Sequence, residues 1–399
     1  MEQPWGAIAL GRADDAAIND DFVARVAASL REKARQFKVT GNGGKIPYRA
    51  LTLSGGGAYG AYGAGVLTGW TEAGTRPDFD VVTGISTGAL MATHAFLGSE
   101  FDKELELYKE VSDRDIFRKR GFARALRSDA VYDTTPLRRL LSSMITEEIL
   151  DRVAAEHRNG RRLFIGTTNL DSDTFTIWDM GMIARSTRPD RRKRYIDVVL
   201  ASASFPIAFP PVYIDVEGES GSYTQMHADG GVRETVFFFD FLEELEAALA
   251  AADLGKSDIQ QDLYLLINGD FAAMESKRYQ PIDGKLGAVA GATVTSMMNK
   301  VTQGSVLRLW ILAMADGADF HLAFVPPSFE FTTPHPLSFD PIQGKALYDL
   351  GYRKAVEGTA WATQRAPATT EEFVENVIRG VTTFDRSKTP EWLESDGND

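Results

Sequence analysis

The chain has 399 residues and no Cys, and its 56 Asp and Glu residues outnumber 43 Lys and Arg residues, giving a formal net charge of −13 at pH 7. The absence of Cys excludes disulfides, thiolate metal sites and Cys nucleophiles, and the acidity argues against a general nucleic-acid binder, which needs a basic face. The length and an ordinary composition, with 25% charged and 44% hydrophobic residues, predict a globular protein of one large α/β domain with additions, or of two domains.

The first 45 residues are predicted to form a helical appendage. Apolar residues recur at helical spacing over residues 19–37, and Gly-Asn-Gly-Gly at 41–44 follows as a linker. We expect the main domain over residues 46–365, then a C-terminal helix and acidic tail over 366–399. No basic segment followed by an apolar core opens the sequence. We therefore expect a cytoplasmic or membrane-peripheral protein, with export after removal of a leader left open.

Strands and helices alternate through the main domain. Helices are predicted to follow the first two strands and to precede the last, and two stretches, 100–162 and 284–319, are predicted to be helical insertions. Short apolar runs separated by helices are typical of a mainly parallel central sheet with helices on both faces. The four predicted strands cover residues 50–53, 79–82, 163–168 and 263–267.

The first strand runs into three consecutive glycines, Gly55, Gly56 and Gly57, and then into a helix. Glycines let successive peptide N–H groups point at one spot, and a helix N-terminus adds positive potential there. Such a loop stabilises a bound phosphate or a developing oxyanion. Gly55, Gly57 and Gly60 also fit the dinucleotide fingerprint G-x-G-x-x-G. A nucleotide-binding module is therefore an alternative, although no acidic residue closes the second strand as that motif requires.

The second strand ends in Gly84-Ile85-Ser86-Thr87-Gly88. This is G-x-S-x-G at a strand-to-helix turn, the context in which the pattern indicates a nucleophile elbow. The turn exposes the Ser86 hydroxyl at the carboxyl end of a strand, and Gly84 and Gly88 remove clashes beside it. Ser86 is thus the candidate nucleophile.

A nucleophilic serine needs a base, and two kinds of base are available. His321 and His335 come late in the chain, where a Ser-His-Asp hydrolase carries its histidine. Asp229, followed by Gly230 and Gly231, supplies a carboxylate in a predicted loop. No residues are spaced as a metal-ligand cluster, so neither a metal nor a cofactor is expected.

Together the three segments resemble the patatin-like phospholipases, a family of lipid acyl hydrolases with bacterial members. The family carries a glycine-rich loop, a G-x-S-x-G elbow and a D-G-[GA] motif in this order. The resemblance spans roughly residues 50–361. It implies a catalytic main domain in which an acyl-enzyme forms on Ser86, Asp229 is the general base without a histidine, and the N–H groups of Gly55, Gly56 and Gly57 form the oxyanion hole. Many members carry Asp where this chain has Ser54, and Arg or Lys where it has Tyr59.

Two basic stretches interrupt the acidic sequence and are candidates for peripheral contact with anionic lipid. The first comprises Arg114, Arg118, Lys119, Arg120, Arg124 and Arg127, and the second comprises Arg185, Arg188, Arg191, Arg192, Lys193 and Arg194.

An acyl lipid is the expected substrate, nucleic acid is not an expected partner, and the oligomeric state is not predicted. A lipid-binding protein without catalysis is a further alternative.

Overall fold

The structure is a computed structural model that describes residues 4–8, 16–39, 44–120, 130–218, 221–238, 242–269, 286–331 and 337–367. Four features predicted from the sequence lie outside the described residues: most of the 41–44 linker, most of the C-terminal tail, His335, and the pair Arg124 and Arg127.

The described residues form twelve strands and twelve α-helices. The strands are β1 Ala7–Ile8, β2 Ile46–Leu53, β3 Val81–Gly84, β4 Arg118–Lys119, β5 Tyr132–Asp133, β6 Arg162–Asn169, β7 Thr174–Asp179, β8 Val212–Gly218, β9 Gly221–Asp229, β10 Ile259–Ile267, β11 Asp319–Phe324 and β12 Ala362–Gln364. The helices are α1 Ala16–Val39, α2 Gly60–Glu72, α3 Thr87–Leu97, α4 Asp102–Glu106, α5 Asp113–Ile116, α6 Thr135–Met144, α7 Glu147–Arg158, α8 Met180–Arg185, α9 Arg191–Ser202, α10 Leu242–Ala251, α11 Leu286–Asp316 and α12 Pro341–Val356.

Ten of these strands build one sheet, in which neighbours follow the order β1-β7-β6-β3-β2-β10-β11-β12. The five central strands, from β6 to β11, are mutually parallel. The four strands predicted from apolar runs are all among these five, so the prediction of a mainly parallel sheet is confirmed. Antiparallel strands border these five on both sides. β12 pairs with β11 on one side, β7 pairs with β6 on the other, and β9 of the hairpin β8–β9 also pairs with β6.

Helices cover both faces of the sheet, as predicted. On β6, Leu163 and Ile165 belong to one hydrophobic cluster, which includes side chains of α2, α3 and α12. Phe164, on the opposite face of the same strand, belongs to a second cluster with side chains of α1, α10 and α11. Because alternate residues of a strand point to opposite faces, a strand buried on both sides needs the continuous apolar runs seen in the sequence.

The predicted N-terminal helix is present as α1 and packs against the domain. Val26 and Leu30 are buried in the second cluster, and Lys33 forms an ion pair with Asp80, next to the start of β3. The division at residues 45 and 365 stays a prediction. Within the described ranges, every helix is too short or too polar to cross a bilayer.

Candidate functional site

Two strand ends meet along one edge of β6. β3 pairs with the first half of β6, up to the pair Gly84 and Ile165, while β9 pairs with the second half, where Asp229 is opposite Thr167. β7 occupies the other edge of β6, so β3 and β9 share the same edge and run towards each other. Their carboxyl ends therefore converge, which brings the turn after β3 next to Asp229.

The turn after β3 holds Ser86 in a strained conformation. Its backbone has φ 55° and ψ −124°, a region that non-glycine residues rarely occupy. A Cβ on Gly88 would lie 2.2 Å from the Leu53 carbonyl oxygen, so only glycine fits there. The Ser86 N–H donates to the Ser202 Oγ at 3.0 Å, and that hydroxyl donates to the Gly166 carbonyl at 2.7 Å. Ser202 thus ties the strained turn to β6.

Asp229 is fully buried, and its two carboxyl oxygens have different surroundings. Oδ1 accepts a hydrogen bond from the Gly231 N–H at 2.8 Å, whereas Oδ2 has no hydrogen-bond partner among the described residues. Burial raises the pKa of Asp229 to about 7, and the nearby Ser86 side chain and the Gly231 N–H oppose that rise. A Cβ on Gly230 would lie 3.2 Å from the Ile85 side chain, which shows how closely the two turns approach.

The glycine loop lies against the Ser86 turn. A Cβ placed on Gly55 would come 3.1 Å from the Ser86 Cβ. Gly56 and Gly57 have φ values of 154° and 57°. The N–H groups of Gly55, Gly56 and Gly57 donate no hydrogen bond within the described part of the chain. Three unused donors therefore lie in a loop beside the serine.

Ser54 and Asn268 hold this loop in place. The Ser54 hydroxyl donates to the Gly55 carbonyl at 2.7 Å and accepts from the Asn268 N–H at 2.8 Å, and the Asn268 side-chain amide donates to the Ser54 carbonyl at 2.8 Å. Sequence reasoning assigned a role to neither Asn268 nor Ser202. Their signals are weak, because a polar residue just after a strand, as Asn268 is, or at the end of a helix, as Ser202 is, has many other uses.

His321 lies away from this convergence. It is in β11, which is separated from β3 by two strands, and three strand spacings amount to about 14 Å. Its ring stacks on Tyr264, with Nδ1 2.9 Å from the Thr363 hydroxyl and Nε2 3.3 Å from the Asp262 carboxylate. The imidazole is thus engaged in packing between β10, β11 and β12.

His227, two residues before Asp229, faces the interior. Its Nδ1 is 3.0 Å from the Thr167 hydroxyl, and its ring packs edge-on against Trp178. Burial lowers the pKa of His227 to about 4, so the imidazole is neutral at pH 7. It is a neutral packing group in β9, the strand that also carries Asp229.

An apolar cavity begins beside the Ser86 turn. Ala58, just after the glycine loop, and Thr87, just after Ser86, both line it. Leu137 and Leu141 of α6 form part of its wall, as does Phe339. Residues next to the serine and next to the glycine loop thus line a hydrophobic space between helices.

The second basic stretch is largely taken up by contacts inside the chain. Arg188 pairs with Glu217, Arg191 with Glu147 and Asp151, and Lys193 with Asp197, while Arg192 donates to the Ile145 carbonyl and Arg194 to the Asp215 carbonyl. In the first stretch Arg114, Arg118 and Lys119 are exposed. Membrane contact through these stretches stays a prediction.

A family model matches the chain from β2 to the start of α10. Residues 51–242 match the family model described as patatin-like phospholipase. Two patatin-like phospholipase domain-containing proteins of Cryptococcus neoformans var. neoformans serotype D, from strains B-3501A and JEC21, are each 32% identical over 212 residues, or 51% of this chain. The chain spans only 23% and 21% of the length of these two relatives.

Among solved structures, VipD from Legionella pneumophila aligns with 86% of this chain and 75% of its own, at 12% identity and a TM-score of 0.33. A similarity at that level establishes neither a common fold nor a common activity. The family model, however, covers the glycine loop, the Ser86 turn and Asp229 together. Residues 51–242 of this chain are therefore a patatin-like phospholipase domain, which belongs to a family of ester-hydrolysing enzymes.

Proposed function

We propose that the protein is a serine lipid acyl hydrolase that cleaves carboxylic esters of phospholipids or other acyl lipids. The observation that carries the proposal is the convergence of the β3 and β9 ends, where a strained serine, a buried carboxylate and a loop of unused N–H groups lie together. A strained backbone, a buried carboxylate and unused N–H donors each destabilise the folded protein. Together they supply the nucleophile, the general base and the oxyanion donors that acyl transfer requires.

In this mechanism Asp229 is the general base for Ser86. As Oγ attacks the ester carbonyl, its proton passes to Oδ2 of Asp229, the oxygen without a partner. A carboxyl whose pKa is about 7 accepts that proton far better than an exposed aspartate does. When the tetrahedral intermediate collapses, the ester C–O bond breaks and the leaving alcohol takes the proton from Asp229.

Deacylation repeats these steps with water. Asp229 accepts a proton from a water molecule as its oxygen attacks the acyl carbon, and the proton then returns to Ser86 as the acyl bond to Oγ breaks. The fatty acid leaves and the free enzyme is restored. The Ser86 side chain lies close enough to Asp229 to oppose the rise of its pKa, and catalytic hydrogen bonds of this kind commonly tighten in the substrate complex.

The N–H groups of Gly55, Gly56 and Gly57 form the proposed oxyanion hole. Each tetrahedral intermediate places a negative oxygen beside Ser86, and Gly55 lies directly against that residue. An anion bound by this loop would therefore be at the reacting carbonyl, which favours an oxyanion over the phosphate of a nucleotide. Preorganised N–H donors are worth about 10²–10³-fold in turnover each.

The apolar cavity gives the proposal its substrate class. Because Ala58 and Thr87 line it, a chain in the cavity would have its ester carbonyl near Ser86 and the glycine loop. Its apolar wall suits a hydrocarbon chain, and burial of each CH₂ group contributes about 0.8 kcal/mol. An acyl lipid therefore fits this site better than a short polar ester does.

The proposal is tested by labelling and turnover together. We expect a fluorophosphonate probe to label the wild type, and p-nitrophenyl esters to be hydrolysed faster as the acyl chain lengthens from acetyl. Ser86→Ala should lose both labelling and turnover. Ser99→Ala, at an exposed serine just after α3, is the matched control and should keep both. Labelling that persists in Ser86→Ala would refute the proposed nucleophile, and a wild type without labelling would favour a lipid-binding protein.

Gly56→Ala tests the oxyanion loop. A Cβ at this position would lie 1.8 Å from the Asn268 carbonyl oxygen, so the loop must move and its donors must leave their positions. We expect turnover to fall about 100-fold or more, measured as kcat on a p-nitrophenyl ester with folding checked by circular dichroism.

Gly74→Ala is the control for backbone strain alone. Gly74 also has a positive φ of 70°, but nothing lies within 4 Å of an added Cβ. It should lose about 1–2 kcal/mol of stability without losing turnover. Equal turnover in the two variants would contradict a role of the loop in catalysis.

A further inference from the structure

The end of α9 is hydrogen-bonded to both halves of the site. Ser202, the last residue of the helix, is fully buried, and its hydroxyl accepts a hydrogen bond from the Ser86 N–H at 3.0 Å. Two residues further on, the Ser204 carbonyl accepts a hydrogen bond from the Asp229 N–H at 3.0 Å. One short segment therefore binds the backbone of the proposed nucleophile and the backbone of the proposed base.

The second hydrogen bond of Ser202 ends where the turns of the site meet. Its hydroxyl donates to the Gly166 carbonyl of β6 at 2.7 Å. A Cβ on Gly230, the residue after Asp229, would lie 2.6 Å from the same carbonyl oxygen. The Ser202 hydroxyl thus connects the Ser86 turn to the part of β6 against which the Asp229 turn packs.

The hydrogen-bonding capacity of Ser202 is matched to this place. A serine hydroxyl has one hydrogen to donate, and the bond to the Gly166 carbonyl uses it. The oxygen remains as an acceptor, which is the group that the Ser86 N–H requires. Among the described residues this N–H has no second acceptor, so removal of the Ser202 hydroxyl would leave it without a hydrogen bond.

We propose that Ser202 is a positioning residue that sets the Ser86 hydroxyl against the Asp229 carboxylate. The Ser86 backbone is strained, and a strained conformation persists only where its surroundings hold it. Ser202 holds it relative to β6, the strand with which the end of β9 pairs opposite Thr167. This inference rests on the proposed function, because positioning affects turnover only if Ser86 and Asp229 are the reacting pair.

Ser204 provides a matched control in the same segment. It is buried like Ser202, and its hydroxyl also donates to a backbone carbonyl, that of Leu200 at 2.8 Å. Ser202→Ala and Ser204→Ala therefore each remove one buried hydroxyl. Only Ser202→Ala removes the acceptor of the Ser86 N–H, whereas Ser204→Ala keeps the carbonyl that binds the Asp229 N–H.

Turnover is the first readout. We expect Ser202→Ala to lower kcat on a p-nitrophenyl ester at least about tenfold, because a small misplacement of reacting groups is costly. KM should stay within about twofold, since Ser202 contributes to the alignment of Ser86 and not to substrate binding. The rate of fluorophosphonate labelling should fall with kcat. Ser204→Ala should remain within about twofold of the wild type in kcat and KM.

Ser202→Cys separates hydrogen bonding from folding. Its thiol is a weaker donor and acceptor in nearly the same shape, so its kcat should lie between the values of the wild type and Ser202→Ala. Thermal melting of each variant shows whether a loss of turnover follows from unfolding. If Ser202→Ala does not fold, the loss of kcat is read from Ser202→Cys at an unchanged melting temperature.

Amide hydrogen exchange gives a readout that does not depend on activity. The Ser86 N–H is hydrogen-bonded to the Ser202 hydroxyl in the wild type, so its exchange should be slow. Ser202→Ala should accelerate exchange at this amide at least about tenfold, whereas Ser204→Ala should leave it unchanged. Residue-resolved mass spectrometry of peptides that cover residues 84–88 measures the difference.

The outcomes keep this inference apart from the proposed function. An unchanged kcat in Ser202→Ala, with an active wild type, would overturn the positioning role, and so would an equal loss in Ser204→Ala. A wild type that neither labels nor turns over would refute the proposed function. Exchange at Ser86 would then still decide whether Ser202 holds the turn, because equal exchange in the wild type and Ser202→Ala would overturn that role as well.

Discussion

Asp229→Asn is expected to lower kcat for ester hydrolysis at least about 10³-fold, the scale of loss for a residue that acts as one unit with its nucleophile. The neutral amide cannot accept the Ser86 proton, while its oxygen can still accept the Gly231 N–H that now binds Oδ1. The geometry should therefore survive while the chemistry does not. The measurement is kcat on a p-nitrophenyl ester, with Ser86→Ala as the reference for complete loss.

His321→Gln and His335→Ala decide between this dyad and a Ser-His-Asp triad. Both variants should keep most of the wild-type kcat, since His321 binds Thr363 and Asp262 in the sheet rather than the Ser86 turn. Loss of turnover in either variant, with Asp229→Asn still active, would favour the triad. In the wild type, kcat/KM should fall tenfold per pH unit below about 7, as the Asp229 carboxylate becomes protonated.

The same substitution, Asp229→Asn, is expected to stabilise the folded protein at pH 8. Burial raises the pKa of Asp229 from 3.8 to about 7, so the folded state holds a proton that the unfolded state releases between those values. The free energy of unfolding therefore decreases as pH rises through this window, by about 1.4 kcal/mol per pH unit and up to about 4 kcal/mol in total. Asn carries no charge and escapes this loss.

Denaturant unfolding of the two proteins at pH 4 and pH 8 measures the effect. The advantage of Asp229→Asn should be largest at pH 8 and should shrink towards pH 4, which lies close to the unfolded-state pKa of 3.8, so that little of the pH-dependent loss of stability remains there. An advantage that is independent of pH would mean that the buried carboxylate is not its source. Opposite effects of one substitution on stability and turnover would mark Asp229 as retained for chemistry at the expense of stability.

The local sequence was sufficient for several elements of the fold. The apolar runs that became β2, β3, β6 and β10 could only be buried on both faces, so they predicted parallel strands under two layers of helices. The glycines around Ser86, in the pattern G-x-S-x-G, predicted a tight turn after β3. The structure supplies the reason for Gly88, whose added Cβ would lie 2.2 Å from the Leu53 carbonyl oxygen. The order of the three motifs was enough to indicate the family.

The position of Asp229 could not be predicted from the chain alone. It depends on a hairpin, β8–β9, that pairs with β6 beyond the end of β3. Asp-Gly-Gly after an alternating segment predicts a loop, but the choice of a pairing edge depends on which edge the rest of the sheet leaves open. The same applies to Ser202 and Asn268, whose hydrogen bonds join segments more than 100 residues apart.

The amino-acid sequence by itself determined four of the five central strands, the Ser86 turn and the glycine loop, because each follows from neighbouring residues and backbone geometry. Only the tertiary structure decided the partners of Ser86. The convergence of β3 and β9, the burial that raises the pKa of Asp229 and the separation of His321 all depend on strand order. Strand order is set by long-range packing, and no single stretch of sequence encodes it.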